Sequence, residues 1–297
     1  MIEGGGLGKF SPKEIGPSNI QEKNGVIDVI AEDEEEATKM AKKILSYFQG
    51  NESEWKVLDQ SQLINIMPKD RRWSYPVRDI INIISDIDQY VELKKEYGRG
   101  IITGFIRIEG KPFGLVANDS QYLGGAIDSE SADKASYFFD LCSKFNLPIV
   151  ALVDTPGFMV GPDSEAEGAV RRMSNLFLIG SQIKVPLTAI FLRKGYGLGA
   201  QAMVGGSLHE PIYTASWPTG EFGAMGLEGA VKLGFKKELE QITDEKQKEE
   251  LYQSLVDKLY EKGKAIEAAA HLEIDAVIDP SETRKVILKA QELRQEI

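Results

Sequence analysis

A glycine-rich stretch, RKGYGLGAQAMVGG, follows the apolar run VPLTAIFL and spans Arg193–Gly206. Gly195, Gly197 and Ala200 match the loose pattern G-x-G-x-x-G/A, which in dinucleotide-binding proteins brings phosphates to a helix N-terminus. That site also needs a full crossover helix and an acidic residue about 20 positions further on, at the end of the next strand. Here a glycine pair stops the helix early, and Glu221 lies in WPTGEFG, which predicts a turn. The stretch is therefore not predicted to bind a nicotinamide cofactor.

The same stretch predicts a buried strand, a tight turn and a short helix. The backbone N–H groups from Tyr196 to Ala200 then have no carbonyl partner inside the helix. Such a group of donors can hold an oxyanion. The alternative is that the glycines only allow the helix to pack closely on the strand, and composition alone does not separate the two.

Two further turns resemble the first in their chemistry. VALVDTPGFMVG places Asp154, Gly157 and Phe158 after another buried strand, and YLGGAID places Gly124 and Gly125 before a helix. Parallel strands would bring the first two turns to the same edge of a sheet, and the third could receive a planar ligand. Asp154 is either a general base or, as an Asp before Thr-Pro-Gly more often is, a brace for its own turn.

Composition excludes several classes of function. The formal charge of −11 argues against nonspecific nucleic-acid binding, which relies on a surplus of basic residues. The only histidines, His209 and His271, are predicted in solvated turns, and they leave little material for a zinc site or a Ser-His-Asp triad. We expect no metal, and we expect Cys142 to be a buried thiol on a helix.

The N-terminal sequence and the hydropathy predict no signal peptide and no membrane span, so a cytoplasmic location is expected. Residues 1–26 predict an extended arm. An amphipathic helix then places apolar side chains at Ala37, Met40, Ala41, Ile44, Leu45 and Phe48.

Alternating buried strands and helices begin near Gly100. The predicted order is β-β-α-β-α-β, formed by IITGFIRI, PFGLVAN, SADKASYFFDLCSKF, PIVALVD, a helix over 164–181, and PLTAIFL. This pattern predicts an α/β fold with largely parallel strands, whose ligands bind beyond the carboxyl ends of the strands.

Four separated segments carry a resemblance to a known family: VANDSQYLGGAIDSESADKASYFFDLCSKFNLPIVALVDTPGFMVG, LRKGYGLGAQAM, WPTGEFGAMGLEGAV and IDAVIDPSETRKVI. They look like the C-terminal half of the carboxyltransferase β subunit of biotin-dependent acyl-CoA carboxylases, of the propionyl-CoA and acetyl-CoA type. The resemblance runs from about Tyr75 to the end of the sequence. It implies a crotonase-like α/β fold, a spiral of β-β-α units, with residues 73–297 forming the biotin-side domain. Residues 1–72 resemble the end of the N-terminal half and its connection.

The resemblance also implies roles for the glycine turns. In this family the C-terminal half receives biotin carried on a partner protein, and backbone N–H groups hold its ureido oxygen; the matching positions are Leu198 and Gly199. Gln201 lies where the family tunes its choice of acyl-CoA substrate. The residues expected to contact biotin are those of the three turns, namely Gly197, Gly157, Phe158, Gly124 and Gly125.

The implied partners are a biotin carboxyl carrier protein, a biotin carboxylase subunit and further copies of the chain, in a dimer or hexamer. Because the family's second oxyanion hole, for the acyl-CoA thioester, belongs to the N-terminal half, we expect half an active site here. Three alternatives remain: a biotin-dependent acyl-CoA decarboxylase, a noncatalytic assembly module, and a crotonase-like hydratase or isomerase. The last is less well supported because it usually needs a glutamate pair, and the acidic candidates are Asp154 and Glu221.

Overall fold

The structure, a computed structural model, describes residues 2–293. Its strands are β1 Tyr90–Leu93, β2 Ile101–Ile108, β3 Lys111–Asn118, β4 Ile149–Thr155, β5 Leu187–Tyr196, β6 Tyr213–Ser216, β7 Glu221–Gly223 and β8 Ala276–Val277. Its α-helices are α1 Ser18–Gln21, α2 Glu34–Ser46, α3 Val77–Ile84, α4 Ser129–Lys144, α5 Pro162–Ala166, α6 Ala169–Gly180, α7 Gly197–Met203, α8 Leu227–Gly234, α9 Lys236–Glu240, α10 Glu245–Gly263, α11 Ala265–Ala270 and α12 Thr283–Leu293. Short 3₁₀ helices lie at Pro12–Glu14, Gln60–Asn65, Leu123–Gly125 and Pro280–Glu282.

The strands form one sheet in the order β1-β2-β3-β4-β5-β6-β8, with β7 also paired to β5. The first three strands are antiparallel neighbours, and β3 to β8 are joined by parallel pairs. A two-residue turn links β2 to β3; its Glu109 and Gly110 both have positive φ, 51° and 72°, as a type I′ hairpin requires. The predicted element order and the largely parallel sheet are confirmed.

Helices cover both faces of the sheet, so its central strands are buried on both sides and are nearly continuous in apolar residues. Along β4, Ala151 and Val153 face a first core with α4 and α6, whereas Val150 and Leu152 face a second core with α3 and α12. A third, smaller cluster joins α8 and α10 to Tyr196 at the end of β5. This end of β5 is where the glycine-rich stretch begins.

The described part of the proposed N-terminal unit, residues 2–72, contributes to both large cores. Tyr47 lies in the first core and Leu63 in the second. Met40, Ile44 and Phe48 of the predicted amphipathic helix also pack on the first core. Leu45 is exposed, so the buried face of α2 is narrower than the sequence predicted. The boundary near residue 72 stays a prediction.

Several local predictions were wrong in detail. The helix predicted over 164–181 is two helices, because Gly168 adopts φ 75° between α5 and α6. The strand β5 continues through Tyr196, beyond the apolar run, because its polar end pairs with β7. For the same reason Glu221 begins a short strand and is not in a turn.

Candidate functional site

Three glycine turns meet beyond the carboxyl ends of β4 and β5, and we call this region the glycine site: residues 124–125, 157–158 and 197–199. A Cβ atom added to Gly199 would lie 2.7 Å from the Cα of Gly157, so the second and third turns touch backbone to backbone. A Cβ on Gly125 would lie 2.3 Å from the carbonyl oxygen of Asp154. The expectation that the turns converge is therefore confirmed, and each approach requires glycine because a side chain would not fit.

Backbone hydrogen bonds fix the first turn against the second. The N–H of Ile127 donates to the Gly157 carbonyl at 3.0 Å, and the N–H of Met159 donates back to the Ile127 carbonyl at 2.8 Å. The Phe158 ring packs against Phe177, 6.2 Å between centroids, and both rings lie against the first core.

The third turn supplies the uncapped N-terminus of α7. Gly197 has φ 59°, a conformation that favours glycine, whereas Leu198 is not among the residues with positive φ and fits its helical position without strain. The Leu198 side chain is 61% exposed, and no side chain caps the helix in the described structure. The first N–H groups of a helix have no partner in a preceding turn. Leu198 and Gly199 therefore carry two adjacent N–H groups without a partner inside the helix, and their role in an oxyanion hole stays a prediction.

Asp154 is fully buried, and it braces the ends of two strands. Its carboxylate accepts from the Arg193 guanidinium at 3.0 Å and from the backbone N–H of Lys194 at 3.0 Å. The turn after β4 is held instead by the Thr155 hydroxyl, which accepts from the Gly157 N–H at 3.1 Å. Asp154 thus has the bracing role, but its partner is the neighbouring strand rather than its own turn.

Sequence reasoning missed Lys194. Its ammonium donates a hydrogen bond to the Gly124 carbonyl and lies 3.8 Å from a carboxylate oxygen of Asp154. Burial lowers the pKa of Lys194, while the charge of Asp154 opposes that shift. A basic pair placed directly before a glycine turn was the available signal.

Glu221, the other acidic candidate, pairs with a different arginine from Asp154. It is 1% exposed and pairs with Arg71 at 3.4 Å, and Arg71 also binds Glu228 at 2.6 Å. Burial raises the pKa of Glu221. Since Asp154 and Glu221 are each engaged with basic side chains, they do not form the free carboxylate pair that the hydratase alternative needs.

A cavity of about 450 Å³ lies along α7 and reaches the base of the third turn. Its lining includes Gln201, Phe222 and His271, which brings Gln201 beside the glycine site rather than into it. His271 is exposed, and its Nδ1 lies 2.9 Å from the Glu267 carbonyl oxygen. His209 is exposed as well. Within residues 2–293 no group of three or more His, Cys, Asp or Glu residues is arranged to hold a metal ion.

Cys142 is buried on α4, as expected, and burial raises the pKa of its thiol. In the part of the chain that the structure covers, every helix is too short or too polar to cross a membrane.

Comparison with known proteins identifies a family. The model of the carboxyl transferase domain matches residues 11–296. The methylmalonyl-CoA carboxyltransferase 12S subunit of Propionibacterium freudenreichii subsp. shermanii is 35% identical over 283 residues, which are 91% of this chain and 52% of that protein. The chain spans about half the length of the curated relatives that it matches.

Solved structures agree with that match. A single-chain, multi-domain long-chain acyl-CoA carboxylase superposes with a TM-score of 0.92 at 48% identity, over 98% of this chain and 28% of that one. The transcarboxylase 12S crystal structure, described as a hexamer assembly, superposes with a TM-score of 0.86 at 30% identity, over 99% and 58% of the respective chains. The crotonase-like α/β fold is thereby confirmed.

Proposed function

The chain belongs to the carboxyl transferase domain family, and on that basis we propose that it is a carboxyltransferase component of a biotin-dependent acyl-CoA carboxylase. It would transfer a carboxylate from carboxybiotin to the α-carbon of a short-chain acyl-CoA. Residues 73–297 would form the biotin-side domain, and residues 1–72 the end of the other half and its connection.

The observation that carries this proposal is the convergence of three glycine turns on the uncapped N-terminus of α7. The site offers backbone donors at turns that are built mainly from glycine. A small planar ureido group, with one carbonyl oxygen to be held, matches that chemistry. Bound biotin would supply a ureido nitrogen that carries the carboxylate and afterwards accepts the α-proton of the acyl-CoA, so no protein histidine is needed.

The role of the chain is then to bind and to stabilise charge. The N–H groups of Leu198 and Gly199 would donate to the ureido oxygen as negative charge develops there. Each such donor typically contributes about 2.7 to 4 kcal/mol in the transition state. The turns at Gly124–Gly125 and Gly157–Phe158 would bound the space beside it, with Gly197 shaping the third turn.

Gln201 would influence the choice of acyl-CoA. It lines the cavity along α7, a few residues from the proposed donors. The length of the acyl chain that reaches this cavity would depend on the size and polarity of that side chain.

The partners that we propose are a biotin carboxyl carrier protein, a biotin carboxylase subunit and further copies of this chain. A second oxyanion hole for the acyl-CoA thioester would come from an N-terminal carboxyltransferase half. A cytoplasmic location remains a prediction.

An exchange assay tests the proposal. The 297-residue chain is given carboxylated biotin and propionyl-CoA, with and without a supplied N-terminal half from a relative, and methylmalonyl-CoA is followed. We expect biotin binding without carboxylation for the chain alone, since two missing donors at about 3 kcal/mol each reduce the rate by roughly four orders of magnitude. The supplied half should restore exchange.

The other results would point elsewhere. Docking of the biotinylated carrier without exchange in the reconstituted mixture would indicate an assembly module. Because a catalyst accelerates both directions of the transfer, exchange in the reconstituted mixture fits a carboxylase component and a decarboxylase component alike. Full turnover by the chain alone would show that its residues contain a complete acyl-CoA site.

A further inference from the structure

Three charged side chains, Asp154, Arg193 and Lys194, lie together where β4 and β5 end, and they contain more positive than negative charge. Asp154 is contacted by two cations, Arg193 at 3.0 Å and Lys194 at 3.8 Å. The Arg193 side chain is 4% exposed, and its remaining donors bind the carbonyl oxygens of Arg71 and Trp73 at 2.8 and 2.6 Å. Arg193 is therefore the paired cation, and the surplus charge resides on Lys194.

The positive charge of Lys194 lies at the glycine site. Its side chain is 17% exposed, and its ammonium reaches across to the Gly124 carbonyl in the first turn. A Cβ added to Gly124 would lie 3.9 Å from the same nitrogen. An ammonium has three donors, and the described residues take one of them in a hydrogen bond; the contact with Asp154 is too long to be a second.

The side chain of Lys194 is largely buried, but its hydrogen bond to Gly124 lies at the exposed surface of the site, where an anion can reach the other donors of the ammonium. Burial lowers the pKa of Lys194; Asp154 and Glu221 act in the opposite direction, and Arg193 adds to the lowering. An anion arriving at the site would supply the missing negative charge. The reaction proposed above brings a carboxylate into the glycine site.

We infer that Lys194 is the anion-binding group of the glycine site and that its ammonium binds the carboxylate being transferred. This inference rests on the proposed function, and it adds the residue that distinguishes carboxylated from uncarboxylated biotin. The backbone donors of Leu198 and Gly199 hold the ureido oxygen, whereas Lys194 recognises the group attached to the ureido nitrogen.

A purely structural alternative is that Lys194 only fastens the first turn to β5. Lys194→Gln separates the two roles, because an amide can still donate to the Gly124 carbonyl but has no charge. Lys194→Arg keeps the charge, and Lys194→Met removes both charge and donor. Lys289→Met is the control, since Lys289 is exposed on α12, on the second-core side of the sheet.

The experiment measures binding by calorimetry with two methyl esters of biotin. One carries a carboxymethyl group on the ureido nitrogen, a stable anionic substitute for the carboxylated form, and the other carries a neutral methyl group. The full chain should bind the anionic ester more tightly by about ten-fold or more, the size expected for one charge-assisted hydrogen bond. Lys194→Gln and Lys194→Met should lose this preference, which is measured within each variant as the ratio of its affinities for the two esters. Lys194→Arg should keep most of it, and Lys289→Met all of it.

The results separate the two proposals. Equal affinity of the unaltered chain for both esters would overturn the inference and leave the biotin site intact. A preference that survives in Lys194→Gln would overturn it as well. Failure of the unaltered chain to bind either ester would contradict the proposed biotin site itself. If Lys194→Met unfolds, the comparison of Lys194→Gln with Lys194→Arg still decides.

Discussion

At the scale of single residues, the proposed chemistry depends on backbone N–H groups more than on side chains. Leu198 illustrates this, because its side chain points away from the packed core while its N–H lies in the first turn of α7. A leucine serves as well as a glycine there, since φ is not positive. The side chain and the N–H can therefore be altered separately.

Leu198→Pro should remove one proposed donor without removing a helical hydrogen bond, because proline is tolerated in the first turn of a helix. We expect turnover in the reconstituted exchange assay to fall by about 10²–10³, with a melting temperature close to that of the unaltered chain. Leu198→Ala, which keeps the N–H, is the matched control and should retain activity. Equal activities of the two variants would remove Leu198 from the oxyanion hole.

The charge of Lys194 predicts a pH dependence of binding. Preference for the anionic biotin ester should decline as the pH rises through the pKa of Lys194, because the ammonium becomes neutral. Burial lowers that pKa below its ordinary value of 10.5, so the decline should begin at a lower pH than for an exposed lysine. Lys194→Arg should show a flat profile, since a guanidinium stays charged over this range. Calorimetry across alkaline pH checks this; the same profile in both proteins would assign the titration to another group.

At the scale of elements, the glycine site is a junction of two strand ends and one short helix. The helix α7 can approach the turn after β4 only because Gly199 has no side chain. The strands are fastened at the same level by Asp154 and Arg193, which lie on adjacent parallel strands. Packing and electrostatic contacts thus hold the proposed donors in one orientation.

Gly199→Ala should disturb this junction, because the new methyl group would lie 2.7 Å from backbone atoms of Gly157 that cannot rotate away. We expect the free energy of unfolding to fall by about 1–3 kcal/mol, the usual effect of overpacking. Gly229→Ala is the control: it lies inside α8 with its nearest neighbour at 3.7 Å, and it should add about 0.5–1 kcal/mol. Urea denaturation of the three proteins measures both changes. A neutral Gly199→Ala would mean that the turns do not touch in solution.

At the scale of the whole molecule, each glycine turn is accompanied by an exposed aliphatic side chain. Leu123 precedes the first turn, Val160 follows the second, and Leu198 lies in the third. Clusters of exposed apolar side chains usually mark an interface. The surface around the glycine site is therefore suited to contact with another protein chain.

We accordingly expect the chain to sediment as an oligomer at micromolar concentration. Val160, 83% exposed, offers a direct test, because Val160→Asp places a charge in the predicted interface. This variant should shift the distribution towards smaller species while its melting curve stays cooperative. A monomer for the unaltered chain, with a cooperative melt, would contradict the prediction.

The sequence by itself determined the elements and the chemistry of the turns. Apolar runs predicted the strands β2 to β4 and the start of β5 to within one residue, because burial on both faces leaves a strong local pattern. Glycine spacing located all three turns, because a positive φ or a close backbone approach favours glycine over residues with a side chain. The motif order was sufficient to indicate the family.

Only the tertiary structure decided which groups meet. Arg193 reaches Asp154, and the ammonium of Lys194 reaches Gly124, although these pairs are 39 and 70 positions apart in the sequence. No local sequence pattern indicated the short strand that begins at Glu221, or the ion pair between Glu221 and Arg71. Such contacts depend on the lateral order of strands and on the face to which each side chain points. Neither is encoded in the spacing of nearby residues, so the basic pair before the glycine turn could draw attention to Lys194, but only the fold showed which groups its ammonium contacts.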